Sequence, residues 1–68
     1  MRVAVNGETR DVPTPCTITD LLQLLQLDAT HLGIAVAVNR RVIPRSEWAA
    51  TRLQEGDTIE LVYARQGG

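Results

Sequence analysis

The sequence contains no lysine and no phenylalanine, and it has one cysteine, one histidine and one tryptophan among its 68 residues. A single cysteine cannot form an intramolecular disulfide or supply a zinc site built from cysteine pairs. No apolar run approaches the ~20 residues that cross a bilayer as a helix, and the first residues do not resemble a signal peptide. We therefore expect a soluble, cytoplasmic protein with no metal site and no membrane partner.

Neither sign of charge is in excess. The sequence has seven arginines and eight acidic residues, which give a net charge of −1. Nucleic-acid-binding domains of this size carry a basic excess that neutralises phosphates, so nucleic acid is not expected as a partner. A chain this short forms one domain and buries only ~60% of the surface that it exposes when unfolded. The hydrophobic core of so short a chain leaves little room for an enclosed substrate pocket. This favours a binding module or carrier over an enzyme.

The hydrophobic pattern predicts an α+β fold in which four to five short strands form a mixed sheet. Asn6-Gly7 predicts a type I′ hairpin turn, because both residues tolerate positive φ. The uncharged segment 34–38 predicts a central strand buried on both faces, with its small side chains beneath something bulky. In the last strand, alternation places Ile59, Leu61 and Tyr63 on one face. The predicted strands cover residues 2–5, 8–12, 34–38, 41–43 and 58–63. A parallel pairing of the first strand with the last is one topology that lets the helix cover the sheet.

One main helix is predicted to pack across this sheet. Thr17 is its expected N-cap, and Asp20 three residues later completes a variant of the capping box. Leu24 is expected to widen the apolar stripe. The helix should end near residues 26–28 and be followed by a loop. The stripe itself consists of Ile18, Leu21, Leu22 and Leu25, at helical spacing.

Groups that carry catalysis are nearly absent. His31 falls in the predicted loop after the helix, and no persuasive nucleophile accompanies it. Cys16 lies just before the helix, where it is either a small buried apolar residue or a thiol whose pKa the helix N-terminus lowers. Trp48, at the end of a single helical turn over residues 46–48, is expected to fill the base of the core.

The sequence closes on Gly67-Gly68, after a domain expected to span residues 1–64 and at the end of a flexible tail over residues 65–68. A carboxylate is a poor electrophile at neutral pH, so acyl chemistry there requires activation by another protein, as an acyl-adenylate made from ATP. Glycine has no Cβ and suits threading through a narrow channel. From Ala64 to Gly68 the extended tail spans at most ~17 Å. The lack of lysine leaves no internal amine to attack an activated end, although drift toward arginine explains it equally well.

Six segments of the sequence together match a known family. They are Val3-Ala4-Val5-Asn6-Gly7, Thr17-Ile18-Thr19-Asp20-Leu21-Leu22, Ala35-Val36-Ala37-Val38-Asn39, Val42-Ile43-Pro44-Arg45-Ser46-Glu47-Trp48, Glu55-Gly56-Asp57 and Gly67-Gly68. By these segments the chain resembles the ThiS sulfur carrier proteins of thiamine biosynthesis, within the ubiquitin-like β-grasp group that includes the molybdopterin synthase small subunit MoaD. The resemblance covers the whole chain, and the stretch from Ala37 to Trp48 is the part most similar to ThiS.

The resemblance implies a ubiquitin-like β-grasp fold and a carrier whose own terminus is the reactive group. A ThiF-type adenylyltransferase would adenylate Gly68 and consume ATP, with no cofactor bound by the chain itself. Sulfur from a cysteine desulfurase or another donor would convert Gly68 to a thiocarboxylate, which would deliver sulfur to the thiazole synthase ThiG.

The same resemblance assigns roles to the residues before Gly68. Gly67, Gln66 and Arg65 would thread the tail into partner enzymes, and Val62 and Tyr63 are candidates for docking on them. Two alternatives remain open. One is a MoaD-like subunit inserted permanently into a catalytic partner, and the other is a ubiquitin-like modifier or passive interaction module.

Overall fold

The computed structural model describes residues 1–27 and 33–64. In that part of the chain one five-stranded sheet has the order β2-β1-β5-β3-β4. Strand β1 pairs with β5 in parallel, as predicted, and the other neighbours are antiparallel. The predicted strands are confirmed to within one residue. The elements are β1 (Arg2–Val5), β2 (Glu8–Asp11), α1 (Ile18–Leu24), β3 (Gly33–Val38), β4 (Arg41–Ile43), a 3-10 turn (Arg45–Glu47) and β5 (Thr58–Ala64).

The β1–β2 hairpin forms as its turn residues predict. Asn6 has φ +50° and Gly7 has φ +86°, so both central residues take the left-handed conformation of a type I′ turn. Strand β2 lies at the edge of the sheet and all four of its residues are exposed. This agrees with its polar sequence.

Helix α1 begins with the predicted capping box. The backbone N–H of Asp20 donates to Oγ1 of Thr17 at 3.1 Å, and the Thr17 N–H donates back to Oδ2 of Asp20 at 3.0 Å. The predicted widening of the apolar stripe by Leu24 is wrong, because its side chain is 53% exposed. A seven-residue helix on one sheet turns only one face inward, and Leu24 lies off that face. The buried side chains of α1 are those of Ile18, Leu21 and Leu22.

Trp48 closes the core next to the 3-10 turn, as predicted. It is 4% exposed, and its Nε1 donates to the carbonyl of Ile43 at 2.8 Å. The guanidinium of Arg45 lies 5.2 Å from the centre of the Trp48 ring. The buried core consists of Val3, Val5, Val12, Cys16, Ile18, Leu21, Leu22, Val36, Trp48, Leu53, Ile59 and Leu61.

Strand β3 is not buried on both faces, so that prediction is wrong. Val36 is buried, but Ala35 is exposed. The middle position of the sheet belongs to β5, and α1 covers only one face of the sheet. The alternation of valine and alanine in β3 therefore separates a core side from a side open to solvent.

Candidate functional site

The predicted reactive residues follow directly on β5. Arg65, Gln66, Gly67 and Gly68 lie outside the described residues, so their roles stay predictions, as does any role of His31. The structure describes β5 as far as Ala64, the residue from which the four extend. The chain between Ala64 and Gly68 reaches no more than ~17 Å. Any protein that acts on Gly68 therefore also comes close to the end of β5.

The two predicted docking residues lie on opposite faces of the β5 end. Val62 is 69% exposed, and Tyr63 is 42% exposed. Successive strand residues alternate between faces, so Tyr63 shares the face of Ile59 and Leu61, as predicted. Both of those residues are buried, whereas Tyr63 lies beside the end of the helix and is only partly covered.

An apolar patch lies on the face of the sheet opposite α1, next to the exposed Glu60 of β5. It consists of Val62, Ala35, Ala37 and Val42, and we call it the open-face patch. Ala35 pairs with Val62 across β3 and β5, and Ala37 pairs with Val42 across β3 and β4, so the four share one face. Val42 is 71% exposed. Of these four residues, the sequence predicts only Val62 as a surface residue. The alternation of alanine with valine in β3 is the sequence feature that indicates the rest of the patch.

Asn6 fastens the hairpin to β5 through its side chain. Its Oδ1 accepts from the Leu61 N–H at 2.8 Å, and its Nδ2 donates to the Leu61 carbonyl at 3.2 Å. The Asn6 N–H also donates to the Ile59 carbonyl at 2.9 Å. The amide side chain thus continues the β1–β5 ladder one position beyond the point where the backbone of β1 turns away. The sequence predicted Asn6 only as a turn residue.

A groove of about 220 Å³ opens beside this contact, between the end of α1 and the β1–β2 hairpin. Its lining is mixed: leucines after α1 and on β5 lie across from Glu8 and Arg10 of the hairpin, whose charged groups lie 3.8 Å apart. The lining residues are Val5, Asn6, Glu8, Arg10, Leu25, Leu27, Leu61 and Tyr63.

Cys16 is a buried member of the core, 1% exposed. Burial raises the pKa of its thiol above the ordinary value of 9.0, the nearby Asp20 carboxylate raises that pKa further, and the N-terminal ammonium opposes both. The thiol is therefore protonated at neutral pH, which excludes the thiolate with a lowered pKa. The alternative of a small apolar residue at a strand–helix junction is confirmed.

Within residues 1–27 and 33–64, no cluster of three or more His, Cys, Asp or Glu side chains has the geometry to hold a metal ion. In the same residues, no helix has both the length and the apolar character needed to span a bilayer.

Comparisons with known proteins agree with this geometry. The ThiS family model matches residues 2–68. The sulfur carrier protein ThiS of Escherichia coli is 34% identical over 68 residues, which are all of both chains. The crystal structure of a thiamine biosynthesis protein (ThiS) from Geobacter metallireducens superposes with a TM-score of 0.80 at 31% identity, again over all of both chains. A thiazole synthase of Paramagnetospirillum magneticum is 32% identical over 68 residues, which are all of this chain and 20% of that protein.

In the described residues, a mixed five-stranded sheet with one α-helix across one face has the ubiquitin-like β-grasp architecture. The full-length matches decide among the alternatives left open by the sequence, and the chain belongs to the ThiS family of small sulfur carrier proteins. The predictions of a β-grasp fold and of a carrier instead of an enzyme are confirmed.

Proposed function

We propose that this chain carries sulfur as a thiocarboxylate on Gly68 and delivers it for the formation of a thiazole ring. The observation that carries the proposal is the match to ThiS along the whole of both chains, which aligns Gly67-Gly68 with the end of that carrier.

The chemistry begins at the carboxylate of Gly68. One carboxylate oxygen attacks the α-phosphorus of ATP, and pyrophosphate leaves, so the carbonyl carbon becomes an electrophile. A sulfur nucleophile then attacks that carbon and AMP leaves. Where the sulfur arrives as a persulfide, a thiol reductant cleaves the sulfur–sulfur bond and frees the thiocarboxylate. ATP is consumed by the activating enzyme, and this chain binds no cofactor of its own.

Three partners follow from this chemistry: a ThiF-type adenylyltransferase, a cysteine desulfurase or other sulfur donor, and the thiazole synthase ThiG. The thiazole synthase has support in the comparisons, because two such proteins contain a segment similar to this whole chain. The segment makes up 20% of the enzyme from Paramagnetospirillum magneticum and 20% of the enzyme from Magnetococcus marinus. The cytoplasm, where ATP is abundant and thiols stay reduced, is the compartment that suits these steps.

The open-face patch is the surface that we propose docks on the adenylyltransferase. Val62 lies two residues before the end of β5, so a protein that holds Gly68 within ~17 Å of Ala64 is close enough to contact this patch. Valine and alanine side chains on a rigid sheet offer apolar area without an entropic cost of ordering. An apolar surface on the adenylyltransferase is the matching partner chemistry.

Intact mass spectrometry tests the proposed function. The purified chain is incubated with ATP, the adenylyltransferase and a sulfur source, and the expected product has one oxygen replaced by sulfur. A chain that lacks Gly68 should keep its fold and show neither acyl-adenylate nor thiocarboxylate. Leu24→Ala, a change at an exposed helix position away from β5, is the matched control and should react normally.

Two results would contradict the proposal. One is continued adenylation of the chain that lacks Gly68. The other is a mature protein, isolated from its own cells, that still carries residues after Gly68, since the carboxyl group would then be blocked.

A further inference from the structure

Within residues 1–27 and 33–64, the end of β5 has a neighbouring strand on one side only, that of β3. Its alternate residues direct their backbone groups to opposite sides, toward β3 or toward β1. On the β1 side, the carbonyl of Asp57 accepts from the Ala4 N–H and that of Ile59 accepts from the Asn6 N–H, both at 2.9 Å. Leu61 follows in the same series and is bonded by the Asn6 side chain.

Tyr63 is the next residue in this series. Its N–H and carbonyl therefore point to the side from which β1 has already turned away. The β1–β5 pairing ends with Val5 opposite Ile59, and in residues 1–27 and 33–64 no backbone hydrogen bond reaches Tyr63 from that side. On its other side, Tyr63 lies opposite Ile34 of β3 in the antiparallel pairing of the two strands. Among the residues that the structure describes, the N–H and the carbonyl of Tyr63 thus have no backbone partner on the β1 side.

This position of β5 lies over the groove beside α1. The groove is lined by Tyr63, Leu61 and Asn6 on the sheet side and by Leu25 and Leu27 on the helix side. A peptide in extended conformation, placed next to Tyr63, would pair with its backbone. It would also direct alternate side chains into this groove.

We propose that an extended segment of the adenylyltransferase adds as a strand beside Tyr63 and places one side chain in the groove. This inference rests on the proposed function and specifies how the carrier is held. The occupant follows from the length of chain beyond Ala64: the enzyme that receives Gly68 lies within ~17 Å of this edge. A second copy of this chain is a poor occupant, because one strand position is far below what a stable dimer buries.

Backbone N-methylation tests the strand addition, since a 68-residue chain is accessible to chemical synthesis. N-methyl-Tyr63 loses only this N–H donor and gains a methyl group at the edge. We expect about tenfold weaker binding to the adenylyltransferase, the size of one lost hydrogen bond with steric exclusion. N-methyl-Thr9 is the matched control. Its N–H points outward from the edge strand β2, because the neighbouring Arg10 is the residue that bonds across to Val3.

Hydrogen exchange of the unmodified chain gives a second readout that needs no variant. The Tyr63 amide should exchange quickly in the free carrier and slow at least tenfold in the complex, whereas the Thr9 amide should not change. Equal binding by the two N-methyl chains, or an unchanged Tyr63 amide in the complex, overturns the strand addition. The mass gain of the unmodified chain reports separately on the proposed function, so the two failures are distinguishable.

Discussion

The side chain of Asn39 donates from Nδ2 to Oδ1 of Asp57 at 3.0 Å and so ties the β3–β4 turn to the turn before β5. The Oδ1 of Asn39 also accepts from the Thr58 N–H at 3.0 Å. The second oxygen of Asp57 accepts from the Gln54 N–H at 2.7 Å. Both residues belong to segments by which the sequence resembles ThiS. The segment that ends at Asn39 and the segment Glu55-Gly56-Asp57 therefore contact each other directly in the fold.

Replacing Asn39 should destabilise the fold. Asn39→Ala removes both side-chain hydrogen bonds, leaves Oδ1 of Asp57 without this donor, and places alanine at φ +52°. We expect the free energy of unfolding to fall by about 1–3 kcal/mol. Urea denaturation followed by Trp48 fluorescence measures it. Unchanged stability would show that the contact between the turns contributes nothing net.

The neighbouring turn residue should respond in the opposite direction. Arg40 has φ +69°, a conformation that costs a residue with a Cβ roughly 1–2 kcal/mol. Arg40→Gly removes that cost but adds freedom to the unfolded chain, so we expect a net gain of up to about 1 kcal/mol. The same urea titration checks it. A loss of stability would mean that the arginine side chain makes a stabilising contact.

Local sequence signals predicted most of the fold, because they act between neighbouring residues. Asn6-Gly7 specified a hairpin turn and Thr17 with Asp20 specified a capped helix start, and neither depends on the rest of the molecule. The faces of β3 were mispredicted for a different reason. Whether Ala35 meets core or solvent depends on how many layers cover the sheet, which no local pattern records. Gly68 was predicted from its position in a motif, whereas the open-face patch required the strand register.

The corrected helix face gives a matched pair of substitutions. Leu21 is 0% exposed and Leu24 is 53% exposed, and both lie in α1. Leu21→Ala should lower the free energy of unfolding by about 2–5 kcal/mol, because it removes transfer energy and leaves a cavity. Leu24→Ala should change it by less than about 0.5 kcal/mol. Chemical denaturation of both variants measures the difference, and similar losses would contradict the assigned helix orientation.

The buried thiol should make stability depend on alkaline pH. Because the folded state holds the pKa of Cys16 above its ordinary value of 9.0, folding favours the protonated thiol. Its contribution is complete below pH 9.0 and is lost as the pH rises through the raised folded value. Cys16→Ala should remove this part of the alkaline decline. Urea titrations of both proteins at several pH values above neutrality measure it, and parallel declines would assign the effect to other groups.

The open-face patch should be required for partner binding and dispensable for folding. Val62→Arg places a charge where the proposed adenylyltransferase surface is apolar, and burying an unpaired charge is costly. We expect at least about tenfold weaker binding. Val62 is 69% exposed, so the unfolding free energy should change little. Leu24→Arg is the control, because it adds the same charge at another exposed apolar position, on the helix. Calorimetric titration of both variants with the adenylyltransferase measures the two affinities. Equal binding by the two variants would show that the adenylyltransferase does not contact the open-face patch.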